Sequence, residues 1–154
     1  MIAVPAAPRP RSSGAKMSDE ARNVAILTDA YRRWSDSRGG SADHWMSICD
    51  DNIKFGSIAE RVQSVDYMTS YRKRDELGQY FTGIARDWEM VEYRVDRFVA
   101  QGDRVVMLGH CSWRAKKTGK VVSTPKADSW RFADGKAVEF YEYFDTAQVV
   151  EAMW

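Results

Sequence analysis

Apolar residues near the start of the chain recur at intervals of three and four, which predicts one helix with a single buried stripe. The stripe consists of Val24, Leu27, Tyr31 and Trp34. Ser18 is suited to cap the first turn of this helix, where Asp19 and Glu20 complement the helix dipole. The glycine pair at residues 39–40 predicts its end.

Two more helical patterns follow. One starts near Ser41 and buries Trp45, and the other covers residues 74–84. The pattern between them favours a short strand at residues 53–55, whereas residues 58–72 show no clear period. The first half of the chain is therefore predicted to be mainly helical.

From Trp88 onward the apolar residues alternate with polar ones, which is typical of β-strands. Turn sequences at residues 101–103, 117–120 and 133–136 divide this part into four long β runs, spaced as successive hairpins. Helices followed by hairpins predict an α+β fold with a curved antiparallel meander. The N-terminal helices would cover its concave face and form a cone-shaped pocket of the kind in which small molecules bind. Asp145 can cap a final helix.

Residues 1–16 differ from the rest of the chain. They contain prolines, three basic residues, no acidic residue and no periodic apolar pattern, so we expect a disordered extension whose deletion leaves the melting temperature nearly unchanged. Pro5 interrupts their longest apolar stretch, which argues against a signal peptide. Met17 is typical of a natural start, and residues 17–154 are predicted to form one domain.

The composition narrows the function classes. Hydrophobic residues make up 44% and charged residues 29% of the chain, and no apolar run is long enough to span a bilayer. The net charge is only +1, with no basic stripe for nucleic acid. Cys49, Cys111 and the two histidines form no metal-binding motif. We therefore expect a cytoplasmic protein with reduced thiols, no metal or organic cofactor, and no nucleic-acid or membrane partner.

Two segments near the C-terminus carry a resemblance to a known family. Residues 127–136 have the sequence Ala-Asp-Ser-Trp-Arg-Phe-Ala-Asp-Gly-Lys, and residues 141–146 have Tyr-Glu-Tyr-Phe-Asp-Thr. From about Val24 to Trp154 the chain resembles the SnoaL-like branch of the nuclear transport factor 2-like superfamily, which includes ketosteroid isomerases, polyketide cyclases and limonene epoxide hydrolases. The resemblance implies the α+β fold described above. It does not identify one reaction, because the superfamily hosts many enzymes and several binding-only members.

The isomerase pattern is half present. Asp128 falls where the resemblance implies the protonated aspartic acid of an oxyanion hole, and Tyr31 falls near the tyrosine that shares it. The general base would fall at about Gly56, which has no side chain to accept a proton. Because a lone buried carboxylate is costly, we expect Asp128 to be a neutral acid or one member of a buried pair. The alternatives are a structural hydrogen bond to the neighbouring helix or a surface ion pair with Lys126 or an arginine, and simple core packing for Tyr31.

The epoxide-hydrolase pattern is also half present. Asp145, in Tyr-Phe-Asp, matches one of that family's two working aspartates and is the reserve candidate for a base. Its arginine and aspartate partners would fall at Gly109 and Cys111, which carry neither group. An aspartate that starts a C-terminal helix is also an ordinary cap. His110 and Cys111 are neighbours on a predicted strand and point to opposite faces, which argues against a Cys-His nucleophile.

Aromatic residues on the predicted elements would suit a flat or cyclic apolar ligand. The predicted ligand-binding residues are Trp34, Trp45, Cys111, Trp113, Trp130, Tyr141 and Tyr143. We expect an acid/base enzyme of isomerase, cyclase, dehydratase or hydrolase type, with Asp128 as the acid or oxyanion stabiliser and Tyr31 assisting. The alternative is a non-catalytic ligand-binding or dimerisation module of the same fold.

A homodimer is expected, because the resemblance implies pairing through the outer face of the sheet. That face would carry His110, Ser112, Arg114, Ser129 and Arg131, with Phe140 nearby. The interface would be isologous, so that the same surface of both copies forms it.

Overall fold

Four α-helices lie within residues 17–154, the part of the chain that the computed structural model describes. They are α1 (Asp19–Asp36), α2 (Ala42–Ile48), α3 (Gly78–Asp87) and α4 (Thr146–Ala152). Ser18 caps α1 and Asp145 caps α4, as predicted, whereas α3 begins later than predicted because Arg74–Glu76 forms a separate 3-10 turn. None of these helices is long and apolar enough to cross a membrane. The predictions for residues 1–16 lie outside the described part.

Five strands form one open sheet in this part of the chain. They are β1 (Cys49–Ser57), β2 (Trp88–Gln101), β3 (Arg104–Ala115), β4 (Val121–Ala133) and β5 (Lys136–Tyr143). Their order across the sheet is β1-β5-β4-β3-β2. The four strands from β2 to β5 form the predicted antiparallel meander, whereas β1 pairs in parallel with β5. The sheet is therefore mixed, because the chain leaves β1 through α3 and enters the meander at the opposite edge.

The first helix covers one face of the sheet, which we call the inner face. Leu27, Tyr31 and Trp34 of the predicted stripe are at most 6% exposed there. Helix α2 adds Trp45 to the same layer, and its ring stacks on that of Trp130 in β4 at a centroid distance of 5.4 Å. The core is thus an aromatic layer between the early helices and the sheet.

Residues 58–72, whose pattern predicted no element, are held by tertiary contacts. They contain the 3-10 helix Gln63–Val65. The Tyr67 ring packs so closely on Gly83 of α3 that a Cβ atom at this glycine would lie 2.1 Å from it. The indole N–H of Trp88 donates a hydrogen bond to the Tyr67 hydroxyl at 2.9 Å. These contacts join residues that are distant in sequence, so no regular spacing of apolar residues predicts them.

The outer face of the sheet points away from α1. Tyr141 and Tyr143 of β5 are 37% and 46% exposed there, with ring centroids 4.9 Å apart. Phe140, which was predicted near this face, points inward and stacks on Phe55 at 4.3 Å. Ser112 is buried and bonds to the Ser123 hydroxyl. The exposed apolar side chains of the outer face therefore include the tyrosine pair of β5 together with Val99, Leu108 and Val121.

Candidate active site

One face of β4 directs both charged and aromatic side chains beneath α1. Lys126, Asp128, Trp130 and Phe132 share this inner face, as their two-residue spacing predicts. Asp128 is only 2% exposed. A carboxylate buried to this degree needs compensating partners.

Both oxygens of Asp128 have such partners. The Tyr31 hydroxyl donates to Oδ2 at 2.5 Å, the Tyr93 hydroxyl donates to the same oxygen at 3.4 Å, and Lys126 Nζ donates to Oδ1. The indole N–H of Trp130 donates to the Tyr31 hydroxyl oxygen at 2.9 Å, so this hydroxyl is held from both sides. The structure therefore brings Tyr31 and Asp128 together and makes Asp128 one member of a buried pair.

Lys126 also binds a second buried carboxylate, Glu142 of β5. Its Nζ donates to Glu142 Oε2 at 3.1 Å, and the Tyr80 hydroxyl donates to the same oxygen at 2.8 Å. Glu142 Oε1 is buried and has no hydrogen-bond partner among the described residues. We call Asp128, Lys126 and Glu142 the inner triad.

Sequence reasoning missed Glu142, and it considered Lys126 only as a surface partner. Glu142 lies directly opposite Asp128 in the register of β4 and β5, a pairing that becomes visible only once the register is known. A local signal did exist, because Glu142 lies two residues after Phe140 and two before Phe144, and both of these line the same cavity. A lone carboxylate on an aromatic strand face indicates a site.

Burial and charge shift the pKa values of the groups in this cluster. Burial by itself lowers the pKa of Lys126, but attraction by Asp128 and Glu142 outweighs it, so the pKa is raised and the ammonium form persists. Burial raises the pKa values of Tyr31 and Tyr80 well above their ordinary range, and the nearby carboxylates raise them further. Both tyrosines are therefore neutral hydrogen-bond donors at neutral pH.

The inner triad forms the polar part of a cavity between the helices and the sheet, with about 100 Å³ of free space. Five of the predicted ligand-binding residues line it: Trp34, Trp45, Cys111, Trp113 and Trp130. Tyr141 and Tyr143 do not, because they lie on the outer face of β5. A dry cavity of about 150 Å³ holds a benzene molecule, so this smaller cavity limits a ligand to at most a single small ring.

Asp145 lies outside this cavity, on the surface. It accepts hydrogen bonds from the backbone N–H of Gln148 at 3.3 Å and from the side-chain amide of Gln148 at 3.0 Å. The side-chain hydrogen bond from Gln148 is the main cause that lowers the pKa of Asp145. The structure therefore places Asp145 as a helix cap and not beside Tyr31 and Asp128.

Gly56, the position predicted for a general base, faces away from the cavity. Its neighbour Phe55 points inward, where it lies against Tyr80 and Phe140. A Cβ atom on Gly56 would lie 2.8 Å from the Tyr141 ring, which belongs to the outer face. A side chain at Gly56 would thus point away from the inner triad.

Cys111 lines the cavity, but its environment does not favour a nucleophile. Burial raises the pKa of its thiol to about 11, so the thiol stays protonated at neutral pH. Gly109 has no room for a side chain, because a Cβ atom there would lie 2.2 Å from the Arg94 carbonyl oxygen. Within residues 17–154, no group of three or more His, Cys, Asp or Glu side chains is arranged to hold a metal ion.

Solved structures share this architecture. An NTF2-like protein of unknown function from Burkholderia pseudomallei has a TM-score of 0.76 and 20% identity over 86% of this chain and 97% of that chain. An NTF2-like protein from Burkholderia thailandensis has a TM-score of 0.72 and 25% identity, with the same coverage of both chains. A protein described as a candidate SnoaL-like polyketide cyclase from Jannaschia has a TM-score of 0.71 and 15% identity, over 95% of this chain and 97% of that chain.

The family model of the SnoaL-like domain matches residues 27–140. The matched region runs from α1 into β5, so it includes Tyr31, Lys126 and Asp128. None of the curated proteins matches the chain. The match spans most of the chain, and the architecture agrees with it: the chain belongs to the SnoaL-like domain family and has the NTF2-like α+β fold.

Proposed function

We propose that this chain is an acid/base enzyme of isomerase or cyclase type that acts on a small, largely apolar, cyclic substrate, with Glu142 as its proton carrier. The observation that carries this proposal is Glu142 Oε1, which has no partner in the described part of the chain although Oε2 has two. A buried carboxyl oxygen without a partner, on a residue that lines an aromatic cavity, is suited to exchange a proton with a bound molecule.

The charge of the inner triad supports this role. If all three groups are ionised, one surplus negative charge remains on side chains that are at most 9% exposed. Such a charge is costly in an apolar cavity. A proton taken from a bound molecule would cancel it, and Glu142 Oε1 is the oxygen free to accept that proton, because both oxygens of Asp128 accept hydrogen bonds.

The other polar groups fit supporting roles. Lys126 keeps its positive charge and would stabilise the oxyanion that forms when the proton on the carbon next to a carbonyl group passes to Glu142 Oε1. Asp128 holds the ammonium group of Lys126, and Tyr31 holds Asp128. These two residues are therefore proposed to position Lys126, which takes the part of oxyanion stabiliser that the sequence suggested for Asp128.

The family supports the reaction class at this level of detail. SnoaL-like and ketosteroid isomerase-like folds are named after cyclases and isomerases, which supports this reaction class. The candidate cyclase from Jannaschia is 15% identical, so its likeness supports the fold and not a substrate. Hydrolase chemistry has weaker support, because Asp145 lies outside the cavity and Gly109 and Cys111 supply no charge.

Proton exchange tests the proposal without a known substrate. We expect the protein to catalyse deuterium exchange at the carbons beside the carbonyl group of cyclohexanone, measured by proton NMR in deuterated buffer. Glu142→Gln should lower the rate by about 10²-fold or more. Glu139→Gln changes a partly exposed glutamate of the same strand and should keep the rate. A wild-type rate equal to that of buffer, or an unchanged rate in Glu142→Gln, would contradict the proposal.

A non-catalytic ligand-binding module is the second candidate. It is favoured by the hydrogen bonds of Asp128 and Lys126, because polar groups that are satisfied by other side chains can serve the structure alone. In that case small cyclic molecules would raise the melting temperature, since a ligand that binds only the folded state stabilises it. Deuterium exchange of cyclohexanone would then stay at the buffer rate.

A further inference from the structure

The charge and the lining of this cavity point to one class of ligand. We propose that the cavity selects a small organic cation, namely a protonated amine on a compact apolar ring, over neutral and anionic molecules of the same shape. This inference rests on the site of the proposed function and names a class of ligand that would bind there in competition with the substrate.

The cavity has more acidic than basic side chains. Its acidic lining residues are Asp128 and Glu142, and its basic lining residue is Lys126. A bound cation would remove the surplus negative charge of the inner triad in the same way as a proton does. The carboxyl group of Glu142, whose Oε1 has no partner in the described part of the chain, would be the place for this cation.

Lys126 shows how this environment holds a cation. Its Nζ binds two carboxylates and lies 5.7 Å from the ring centroid of Phe144 and 6.0 Å from that of Phe140. Aromatic faces attract cations through their quadrupole. These attractions outweigh the cost of burial, which agrees with the raised pKa of Lys126. A second cation beside Glu142 would likewise contact a carboxylate and aromatic rings.

A protonated amine also supplies the hydrogen-bond donor that Glu142 Oε1 lacks. Its apolar ring would pack against the indole rings of the lining, which are Trp34, Trp45, Trp88, Trp113 and Trp130. A neutral ether of the same shape offers no donor. A carboxylate would be repelled by Asp128 and Glu142, which already bind Lys126. The expected order of affinity is therefore cation, neutral molecule, anion.

Three probes with six-membered rings test this order: piperidinium, tetrahydropyran and cyclohexanecarboxylate. Isothermal titration calorimetry at neutral pH should show piperidinium binding at least about tenfold more tightly than tetrahydropyran, and no binding of cyclohexanecarboxylate. Equal affinity for piperidinium and tetrahydropyran, or tighter binding of cyclohexanecarboxylate, would overturn the proposal.

Two variants locate the selectivity. Glu142→Gln should abolish the preference for piperidinium, whereas Glu139→Gln on the outer face of the same strand should retain it. The wild-type titrations test the selectivity for piperidinium even if Glu142→Gln does not fold. Tighter binding of piperidinium together with deuterium exchange of cyclohexanone at the buffer rate would support the selectivity but contradict the proton transfer that the proposed function assigns to Glu142. Deuterium exchange of cyclohexanone above the buffer rate, together with equal affinity for piperidinium and tetrahydropyran, would support the proposed function but contradict the selectivity for a cation.

Discussion

Two charged clusters lie on opposite faces of the same part of the sheet. One is the inner triad, and the other, which we call the outer triad, consists of Arg104, Glu139 and Arg131. Each contains a glutamate of β5 with an ion-pair nitrogen at 3.1 Å, from Lys126 to Glu142 in the inner triad and from Arg131 to Glu139 in the outer triad. The side chains of the inner triad are at most 9% exposed, whereas those of the outer triad are 29–55% exposed.

The comparison shows that equal distances do not imply equal energies. Water screens the outer triad, and exposed pairs of this kind contribute about 1 kcal/mol or less. In the inner triad, the loss of one partner leaves a carboxylate unpaired in an apolar space. Burial therefore makes the ion pairs of the inner triad important for the stability of the fold.

Removing the cation of each triad should give the largest contrast. Lys126→Met leaves two buried carboxylates without their shared partner, so we expect it to lower the free energy of unfolding by about 3–5 kcal/mol. Arg131→Met removes a pair that water already screens and should therefore cost much less than Lys126→Met. Urea denaturation of the two variants measures both losses.

Neutralising the inner triad serves as the control for this prediction. If Lys126→Met does not fold, the triple variant with Asp128→Asn and Glu142→Gln should recover a folded protein, because no unpaired charge remains. Equal losses in Lys126→Met and Arg131→Met would mean that the inner triad is as well solvated as the outer one. Burial would then not account for a difference in energy between the two triads.

Removing a hydroxyl group from each face should give the next largest contrast. Tyr31→Phe takes a hydrogen bond from Asp128 Oδ2 and leaves the Trp130 indole N–H without its acceptor, so we expect a loss of about 1–3 kcal/mol. Tyr143→Phe removes a hydroxyl from an exposed ring and should change the free energy of unfolding by less than about 0.5 kcal/mol. Thermal or urea unfolding compares the two. A loss in Tyr31→Phe no larger than that in Tyr143→Phe would show that Asp128 does not depend on this donor.

The fold was predictable because most of its signals are local. The stripe of α1, the caps Ser18 and Asp145, and the turns between the later strands each lie within a few neighbouring residues. The pairing of β1 with β5 was not predictable in this way. It depends on a crossover that spans the sheet, and no short pattern encodes which edge a strand joins.

The candidate site was only partly predictable, for the same reason. Asp128 and Tyr31 were found through the resemblance and the inward alternation of β4. Glu142 joins them through strand register, and Tyr80 and Tyr93 reach them from α3 and β2, so only the folded chain shows the contacts. The alternation of β5 is a local signal for the face on which each of its side chains lies. It directs Phe140 and Glu142 inward, and therefore Tyr141 and Tyr143 outward.

The outer face gives a prediction about association. We expect a homodimer through the tyrosine pair of β5, because Tyr141 and Tyr143 form an exposed aromatic surface beside the charged outer triad. Light scattering should give twice the chain mass of 17.6 kDa at micromolar concentration. Tyr143→Glu should raise the dimer dissociation constant at least about tenfold. The affinity of the cavity for piperidinium should not change, because the inner triad lies on the opposite face. A wild-type monomer at micromolar concentration would refute this prediction.

The smallest effect is expected at Asp145, the candidate base that lies outside the cavity. Asp145→Ala removes the cap of α4, so a slight loss of stability is expected at neutral pH. The side-chain hydrogen bond from Gln148 lowers the pKa of Asp145 below its ordinary value of 3.8. The contribution of the carboxylate is therefore fully present above that value and disappears as the pH falls through the lower folded-state pKa.

Melting temperatures of the wild type and Asp145→Ala, compared between neutral pH and about pH 3, test the sign of this dependence. The gap between them should stay constant down to about pH 4 and close below it. Deuterium exchange of cyclohexanone should be unchanged in Asp145→Ala, because Asp145 is on the surface and the inner triad is intact. A large loss of exchange with little change in melting temperature would reverse the assignment. Asp145 would then act in catalysis, and a hydrolase-type reaction would be favoured over proton transfer by Glu142.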